Sequence, residues 1–305
     1  MKRKDFRFRD RLRVRWAEID AQKIVFNGHY LMYFDTAIAG YWRALALPYA
    51  PSMEALGGDL YVRKATLEYH ASARYDDMLE VGMRCARVGK SSIVFEGAVF
   101  RGEDLLVSGQ LVYVFADPAS QTSRPVPREL RDIFDAFEGG EVMVDVRVGN
   151  WDELGSDAQA IRHAVFVEEQ GVPLAMEHDA ADASALHALA VNRLGLPLAT
   201  GRMLNQKHDV ARIGRMAVVQ AMRGSGVGRA VLDALVQAAR AQGHQEVRLH
   251  AQVTAVAFYR RAGFAEQGSE FDEAGIAHIE MSRAIGPLYA IHALRTRGAA
   301  QTGRA

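Results

Sequence analysis

One aromatic segment and the four runs that follow it constrain the fold of the first half. Apolar residues recur at spacings of three and four across residues 28–47, which predicts a largely buried helix with Asn27 or Gly28 as its N-cap. Four alternating or apolar runs separated by short turns come next, at 59–70, 78–88, 91–101 and 104–116. A long helix followed by antiparallel strands indicates an α+β fold.

The pattern changes near Gly139-Gly140, which follows a Pro- and Ser-rich segment and a short predicted helix at 128–137. After it, strand and helix patterns are interspersed, which indicates a mixed α/β sheet. The expected strands lie at 142–148, 185–194, 197–204, 211–219, 246–252 and 276–283, and the expected helices at 156–169, 227–242 and 254–262. We therefore expect domains at 1–138 and 141–285 and a loosely held tail at 286–305.

Composition narrows the function classes. The 305 residues carry no net charge, so nothing in the charge balance favours nucleic acid or a membrane surface as a partner. No run of about 18 apolar residues predicts a membrane span, and the basic N-terminus has no apolar segment typical of a secretory signal. The single cysteine, Cys85, is typical of a reducing compartment, so we expect a cytoplasmic protein. No metal-ligand spacing is present, and no metal is expected.

Strict alternation over residues 7–16 predicts a strand with two different faces. One face carries Arg7, Arg9, Arg11, Arg13 and Arg15, and the other Phe8, Asp10, Leu12, Val14 and Trp16. The arginines could meet phosphates, but a solvated charged face is the favoured interpretation because charged strands also resist aggregation.

A glycine-rich turn at 223–229 precedes the predicted helix 227–242. Its spacing, with Arg223, Gly226 and Gly228, matches neither the dinucleotide-binding Gly-x-Gly-x-x-Gly pattern nor a P-loop. Glycines allow close backbone approach, and the N–H groups that begin a helix favour an anion, so the turn remains suited to phosphate. A plain glycine-rich helix start is the alternative.

A downstream motif gives this turn a more specific meaning. Together with Arg215-Met216-Ala217-Val218 and Arg223-x-x-Gly226-x-Gly228, the motif Ala255-x-x-Phe258-Tyr259-x-x-x-Gly263-Phe264 resembles the GNAT N-acetyltransferase superfamily over about residues 142–285. Gln252 stands where many members have Asn. The resemblance implies acetyl-CoA as a substrate rather than a tightly bound cofactor, and an amine acceptor whose identity stays open.

The same resemblance implies roles for individual residues. The backbone of Met216 and Val218 would pair with the pantetheine arm, and Tyr259 would protonate the departing thiolate. The backbone N–H groups of residues 224–229 would hold the pyrophosphate, and the side chains of Arg223 and Arg229 would add positive charge. The cofactor-binding residues of this turn would therefore be Arg223, Gly224, Gly226, Val227, Gly228 and Arg229. The general base is not visible. Glu169, Glu177 and Asp179 are candidates, whereas His187 and His250 are expected to be structural.

Asp20 lies seven residues before Asn27. A carboxylate near a helix N-terminus can attack a carbonyl or activate water while the helix N–H groups hold an oxyanion, although a loop Asp in a capping role is as plausible. The motif Asp20-Ala21-x-x-Ile24-Val25-Phe26-Asn27-x-x-Tyr30-Leu31 resembles the hotdog-fold 4-hydroxybenzoyl-CoA thioesterase family over about residues 8–135. That implies Asp20 as nucleophile or base, the Asn27 N–H as carbonyl polariser, and a sheet wrapped round the helix.

Two CoA-type signatures in one chain predict a bifunctional enzyme that hydrolyses acyl-CoA and acetylates an amine. The thioesterase resemblance also implies a homodimer or homotetramer. Two alternatives stay open: one domain acts as a CoA-thioester sensor without turnover, or the first domain serves as a dimerising scaffold.

Overall fold

The computed structural model describes residues 1–177, 179–206 and 209–286. The chain divides into two compact units. One contains Met1–Met143 and Asn192–Leu196, and the other contains Val144–Val191 and the described residues from Pro197 onward. The expected tail lies outside the described residues except for Gly286.

The first unit contains a single antiparallel sheet. Within residues 1–143, all of which are described, five strands have the order β1-β3-β4-β5-β2. The strands are β1 Phe8–Arg13, β2 Asp59–Tyr69, β3 Met78–Val88, β4 Ser92–Arg101 and β5 Asp104–Ala116, and the helices are α1 Asn27–Ala44, α2 Tyr49–Leu56 and α3 Arg128–Glu138.

Helix α1 packs against the middle of this sheet through Phe34, which is completely buried. Two glycines, Gly97 on β4 and Gly109 on β5, lie opposite each other. A Cβ at Gly97 would come within 2.7 Å of the Phe34 ring, and one at Gly109 within 2.8 Å. The absence of side chains at this cross-strand pair lets the helix sit on the sheet, so the expected hotdog arrangement is confirmed.

The first strand is shorter than its alternation predicts. It ends at Arg13, and Trp16 begins a short 3₁₀ turn. Trp16 was expected on the strand face opposite the arginines, but it lies beyond the strand, where it is 72% exposed and contacts the Tyr75 ring edge-on at 5.3 Å. The expectation was wrong because alternation holds only while the chain stays extended. Helix α2 was not expected at all.

The second unit contains a mixed sheet. In its described part, seven strands have the order β11-β12-β10-β9-β8-β7-β6, and β9 and β10 are parallel. The strands are β6 Val144–Gly149, β7 Leu186–Asn192, β8 Pro197–Asn205, β9 Val210–Val218, β10 Glu246–Gln252, β11 Ala265–Glu273 and β12 Ile276–Ala284, and the helices are α4 Trp151–Arg162, α5 Leu174–Glu177, α6 Val227–Ala241 and α7 Val256–Arg261. Helix α4 continues in π-helical turns over His163–Glu169.

Burial of one face decides which helices and strands of this unit could be predicted from the sequence. One face of α6 is buried, as its three-and-four spacing requires; its buried residues are Val227, Val231, Leu232, Leu235, Val236 and Ala239. Strand β11 was missed because every one of its residues is exposed, so it carries no hydrophobic pattern. It forms by pairing with β12 at the edge of the sheet.

Candidate active sites

Asp20 lies in a closed loop that leads directly into α1. The Asp20 N–H donates to the Ile24 carbonyl at 2.9 Å, and the Phe26 N–H donates to the Glu18 carbonyl at 2.9 Å. The Asp20 carboxylate is half-buried and accepts a hydrogen bond from the Gln22 N–H at 2.8 Å. These bonds fix the backbone on both sides of the carboxylate.

The helix after this loop begins at Asn27, so neither Asn27 nor Gly28 is the N-cap. The N-cap is Phe26, whose side chain makes no capping hydrogen bond. Asn27 is exposed, and its carbonyl accepts a hydrogen bond from the Tyr69 hydroxyl at 3.1 Å. A helix N-terminus without a side-chain cap keeps donor groups for a ligand, and its partial positive charge favours an oxyanion.

Glu18 supports the loop from inside the fold. It is 3% exposed, and its carboxylate accepts hydrogen bonds from the Arg15 backbone at 2.7 Å and the Tyr33 hydroxyl at 2.8 Å. Burial alone would raise the pKa of Glu18, but these bonds and the Arg15 guanidinium outweigh it and lower the pKa. Glu18 therefore holds the loop and the helix together as a carboxylate.

The arginine face of β1 is paired with acids. Glu80 contacts Arg3 at 2.6 Å, Arg11 at 2.9 Å and Arg9 at 3.4 Å. The Arg3 hydrogen bond makes the largest contribution to lowering the pKa of Glu80 to about 2. Arg13 likewise contacts Asp76 at 2.8 Å. These contacts agree with a solvated, charge-balanced face rather than a phosphate site.

In the second unit, a cavity of about 470 Å³ opens where β9 and β10 separate. The parallel pairing of the two strands runs from Val210 with Glu246 to Ile213 with Leu249 and ends there. An extra residue in β9 interrupts its pairing with β8 nearby, and Arg215 takes a left-handed φ of 52°. The backbone beyond Ile213 thus turns an edge toward the cavity, and Met216 lines its wall.

The glycine turn has the backbone that its sequence demands. Gly224 and Gly226 have φ values of 81° and 93°, a region that favours glycine. Gly226 is the N-cap of α6, which begins at Val227. A Cβ at Gly228 would lie 2.9 Å from a Val218 methyl carbon, so this glycine lets the helix approach β9 closely. The first N–H groups of α6 are therefore available to an anion.

Both arginines of this turn have carboxylate partners. Arg223 forms two hydrogen bonds to Glu169, each of 2.6 Å. Arg229 contacts Asp233 at 2.8 Å, one helical turn further along α6. The Arg223 hydrogen bonds lower the pKa of Glu169, which keeps this base candidate ionised and tied to a cation.

Tyr259 on α7 lines the cavity and is 7% exposed. Its ring contacts Phe258 at 4.9 Å and Phe264 at 6.0 Å, both edge-on. Burial raises the pKa of Tyr259, so the phenol stays protonated at neutral pH. A protonated phenol on the wall of a cavity can donate a proton to a leaving group.

The other two base candidates, one buried and one exposed, are both bound to arginines. Glu177 is completely buried and hydrogen-bonded to Arg162. Asp179 contacts Arg202 at 2.6 Å and Arg215 at 3.1 Å. Because each carboxylate is bound to an arginine, a base assigned to either one would have to be released from that cation first.

His250 was expected from the sequence to have a structural role, but it lies at the cavity. It lines the cavity, and its Nδ1 lies 2.9 Å from a Glu273 carboxylate oxygen. His187, by contrast, is 1% exposed, and its Nε2 is 2.9 Å from the Asp182 carbonyl. The expectation of a structural histidine thus fits His187. The local sequence could not predict the contact between His250 and Glu273, because the two residues are on different strands, β10 and β11, which are both neighbours of β12 in the sheet.

Both halves of the chain are similar to known protein families. Residues 153–285 match the family described as acetyltransferase (GNAT) domain, and residues 22–108 match the thioesterase superfamily. The chain belongs to the acetyltransferase (GNAT) family, and its N-terminal half is similar to the thioesterase superfamily over residues 22–108. The thioesterase match begins two residues after Asp20 and includes Asn27.

Individual relatives follow the same division. A Bacillus subtilis protein named as a putative acetyltransferase is 34% identical over 126 residues, which are 40% of this chain and 84% of that protein. The uncharacterized N-acetyltransferase YjcF of the same organism is 33% identical over 43% of this chain and 94% of its own length. The Escherichia coli acyl-CoA thioester hydrolase YbgC is 29% identical over 40% of this chain and 92% of its own length.

Within residues 1–177, 179–206 and 209–286, no helix is long and apolar enough to span a membrane. No group of three or more His, Cys, Asp and Glu side chains in the described ranges is arranged to hold a metal ion.

Proposed function

We propose that this chain is a bifunctional CoA enzyme of the cytoplasm. Its GNAT domain transfers an acetyl group from acetyl-CoA to an amine, and its thioesterase domain hydrolyses an acyl-CoA. Both families use CoA thioesters as substrates. The observations that carry the proposal are the cavity between β9 and β10, which has the Tyr259 phenol on its wall, and the glycine turn at the start of α6.

In the GNAT domain, the free edge of β9 offers the backbone of Met216 and Val218 to the pantetheine arm. The N–H groups of residues 224–229 bind the pyrophosphate, and Arg223 and Arg229 add positive charge. Tyr259 gives its proton to the thiolate as the carbon–sulfur bond breaks. The end of the β9–β10 pairing at Ile213 and the raised pKa of Tyr259 support these assignments.

In the thioesterase domain, Asp20 acts as nucleophile or general base at the thioester carbonyl. The Asn27 N–H at the start of α1 polarises that carbonyl and stabilises the developing oxyanion. Two observations support the pair: the closed loop that fixes Asp20, and the lack of a side-chain cap on α1.

We further propose that the thioesterase domain assembles the chain into a homodimer or homotetramer. Strand β2 is at one end of the sheet order, and residues 62–66 along it are all exposed. An exposed edge strand presents unpaired backbone groups that a second copy can satisfy. Light scattering coupled to gel filtration tests this directly; a monomer at micromolar concentration would refute it.

The proposed activities are tested by two screens on the full chain. Thiol release from a panel of acyl-CoA esters reports hydrolysis, and amine-dependent thiol release from acetyl-CoA reports transfer. We expect hydrolysis of at least one ester and transfer to at least one amine. Tight CoA-thioester binding without turnover across both panels would contradict the proposal and identify a sensor.

A further inference from the structure

The side chain of His250 occupies a special position in the cavity. Leu249, the residue before it, makes the last parallel pair between β10 and β9. His250 is therefore the first residue of β10 beyond the point where the strands separate. Alternation along the strand places its side chain on the same face as Gln252, which also lines the cavity, while Ala251 is buried on the other face.

Charged groups from three other strands face the imidazole. Glu273 on β11 approaches Nδ1 at 2.9 Å, and the Arg212 guanidinium on β9 contacts both ring nitrogens. On the neighbouring strand β12, Glu280 is paired with His250, and the Arg248 guanidinium lies 3.6 Å from the Glu280 carboxylate.

Aromatic rings also lie near His250. The Phe271 ring meets the His250 ring edge-on at 4.7 Å, and His278 on β12 stacks against Phe271. Both His278 and Glu273 line the cavity.

These contacts fix the chemistry of the ring. A carboxylate accepts hydrogen bonds only, so Nδ1 carries the proton that it donates to Glu273. Nε2 then keeps its lone pair, the arrangement in which a histidine can accept a proton. Burial would raise the pKa of Glu273, but the His250 hydrogen bond outweighs it and lowers the pKa, so the carboxylate stays ionised. The Arg212 guanidinium has to swing aside when an amine approaches Nε2.

We propose that His250 is the general base of acetyl transfer and that Glu273 is its positioning residue. This inference rests on the proposed acetyltransferase function. His250 Nε2 also contacts an arginine, Arg212, but it does so as a nitrogen lone pair, whereas Glu169, Glu177 and Asp179 each form a carboxylate–guanidinium ion pair.

The proton transfers balance. An acceptor ammonium group gives one proton to Nε2 of His250, and the neutral amine attacks the thioester carbonyl carbon. The carbon–nitrogen bond forms, and the carbon–sulfur bond then breaks as the Tyr259 hydroxyl protonates sulfur. The nitrogen loses its second proton through solvent to restore the phenol, and His250 releases its proton to solvent. The products are the acetamide, CoA and one net proton.

The test uses the full chain, acetyl-CoA and four amines: spermidine, glucosamine, phenethylamine and kanamycin. For His250→Ala, kcat should fall about 100- to 10,000-fold, the usual contribution of a general base, and the rise of rate with pH should disappear. The dissociation constant for acetyl-CoA should not change. Added imidazole should restore activity to His250→Ala by filling the space left by the ring. Glu273→Gln should lower kcat less, about tenfold, because the amide still accepts from Nδ1.

His244→Ala is the matched control. This histidine is half-buried and contacts Asn205, and it does not line the cavity. The kinetics of this variant should match those of the parent.

Three outcomes decide the matter. Loss of activity in His250→Ala with rescue by imidazole supports the base assignment. Activity within about twofold of the parent with an unchanged pH profile overturns the assignment and leaves the proposed function intact. Failure of the parent protein to acetylate any of the four amines overturns the proposed transfer, and the base assignment with it.

Discussion

Arg223 and Glu169 form a two-pronged ion pair in which both hydrogen bonds are 2.6 Å long. The pair joins the glycine turn before α6 to the end of the π-helical turns after α4. It occupies the arginine that we assign to the pyrophosphate of acetyl-CoA. Binding of that anion therefore competes with Glu169 for the same guanidinium.

The first prediction follows from this competition. Glu169→Gln should tighten acetyl-CoA binding about two- to fivefold, because a partly exposed ion pair is worth up to about 1 kcal/mol. Arg223→Ala should weaken binding. Isothermal titration calorimetry with acetyl-CoA measures both effects. Weaker binding by Glu169→Gln would contradict the account and would mean that Glu169 positions Arg223 for the ligand instead.

The second prediction separates backbone strain from ligand binding. Gly226 and Gly243 have φ values of 93° and 88°, and a Cβ at either would have nothing within 4 Å. Alanine at each position should therefore lower the free energy of unfolding by a similar amount, about 1–2 kcal/mol. Only Gly226→Ala should also weaken acetyl-CoA binding, because only Gly226 belongs to the proposed pyrophosphate turn. Urea denaturation and calorimetry on the two variants test this, and equal binding by both would remove the turn from the site.

The third prediction concerns acid stability. Hydrogen bonds from Arg202 make the largest contribution to lowering the pKa of Asp179 from 3.8 to about 2. A carboxyl whose pKa is lower in the folded state stabilises the fold above its unfolded pKa and loses that effect as pH falls. Thermal midpoints should therefore fall between about pH 4 and pH 2, and Asp179→Asn should be less stable at pH 7 with a smaller fall.

Asp132→Asn is the control for the acid experiment. Asp132 is exposed on α3 and lies 3.6 Å from Arg128. We expect its thermal midpoints to follow those of the parent at both ends of the pH range. An identical pH dependence in Asp179→Asn and the parent would contradict the role of the Asp179 contacts.

The sequence predicted the elements that alternate or repeat with helical spacing. Strands β2 to β5 and helix α6 begin and end within two residues of their expected bounds, since burial of one face leaves a periodic pattern. Strand β11 has no buried face and was missed. Trp16 was misplaced because the strand stops three residues earlier than its pattern does.

The candidate sites show the same limit. Tyr259 and the glycine turn could be found in the sequence because they lie within contiguous motifs. The partnership of His250 with Glu273 could not, since 23 residues separate them and β12 lies between their strands in the sheet. The acid partners of Arg9, Arg11 and Arg13 were invisible for the same reason, as Glu80 and Asp76 come more than sixty residues later.

The central claim, two separate CoA-thioester activities in one chain, is tested most directly by crossing two variants with two assays. Acyl-CoA hydrolysis and acetyl transfer are measured for the parent, Asp20→Asn and Tyr259→Phe. We expect Asp20→Asn to lose hydrolysis and keep transfer, and Tyr259→Phe to lose transfer, about 100-fold or more in kcat, and keep hydrolysis. Hydrolysis by Asp20→Asn at the parent's rate, or loss of both activities in either folded variant, would contradict the account.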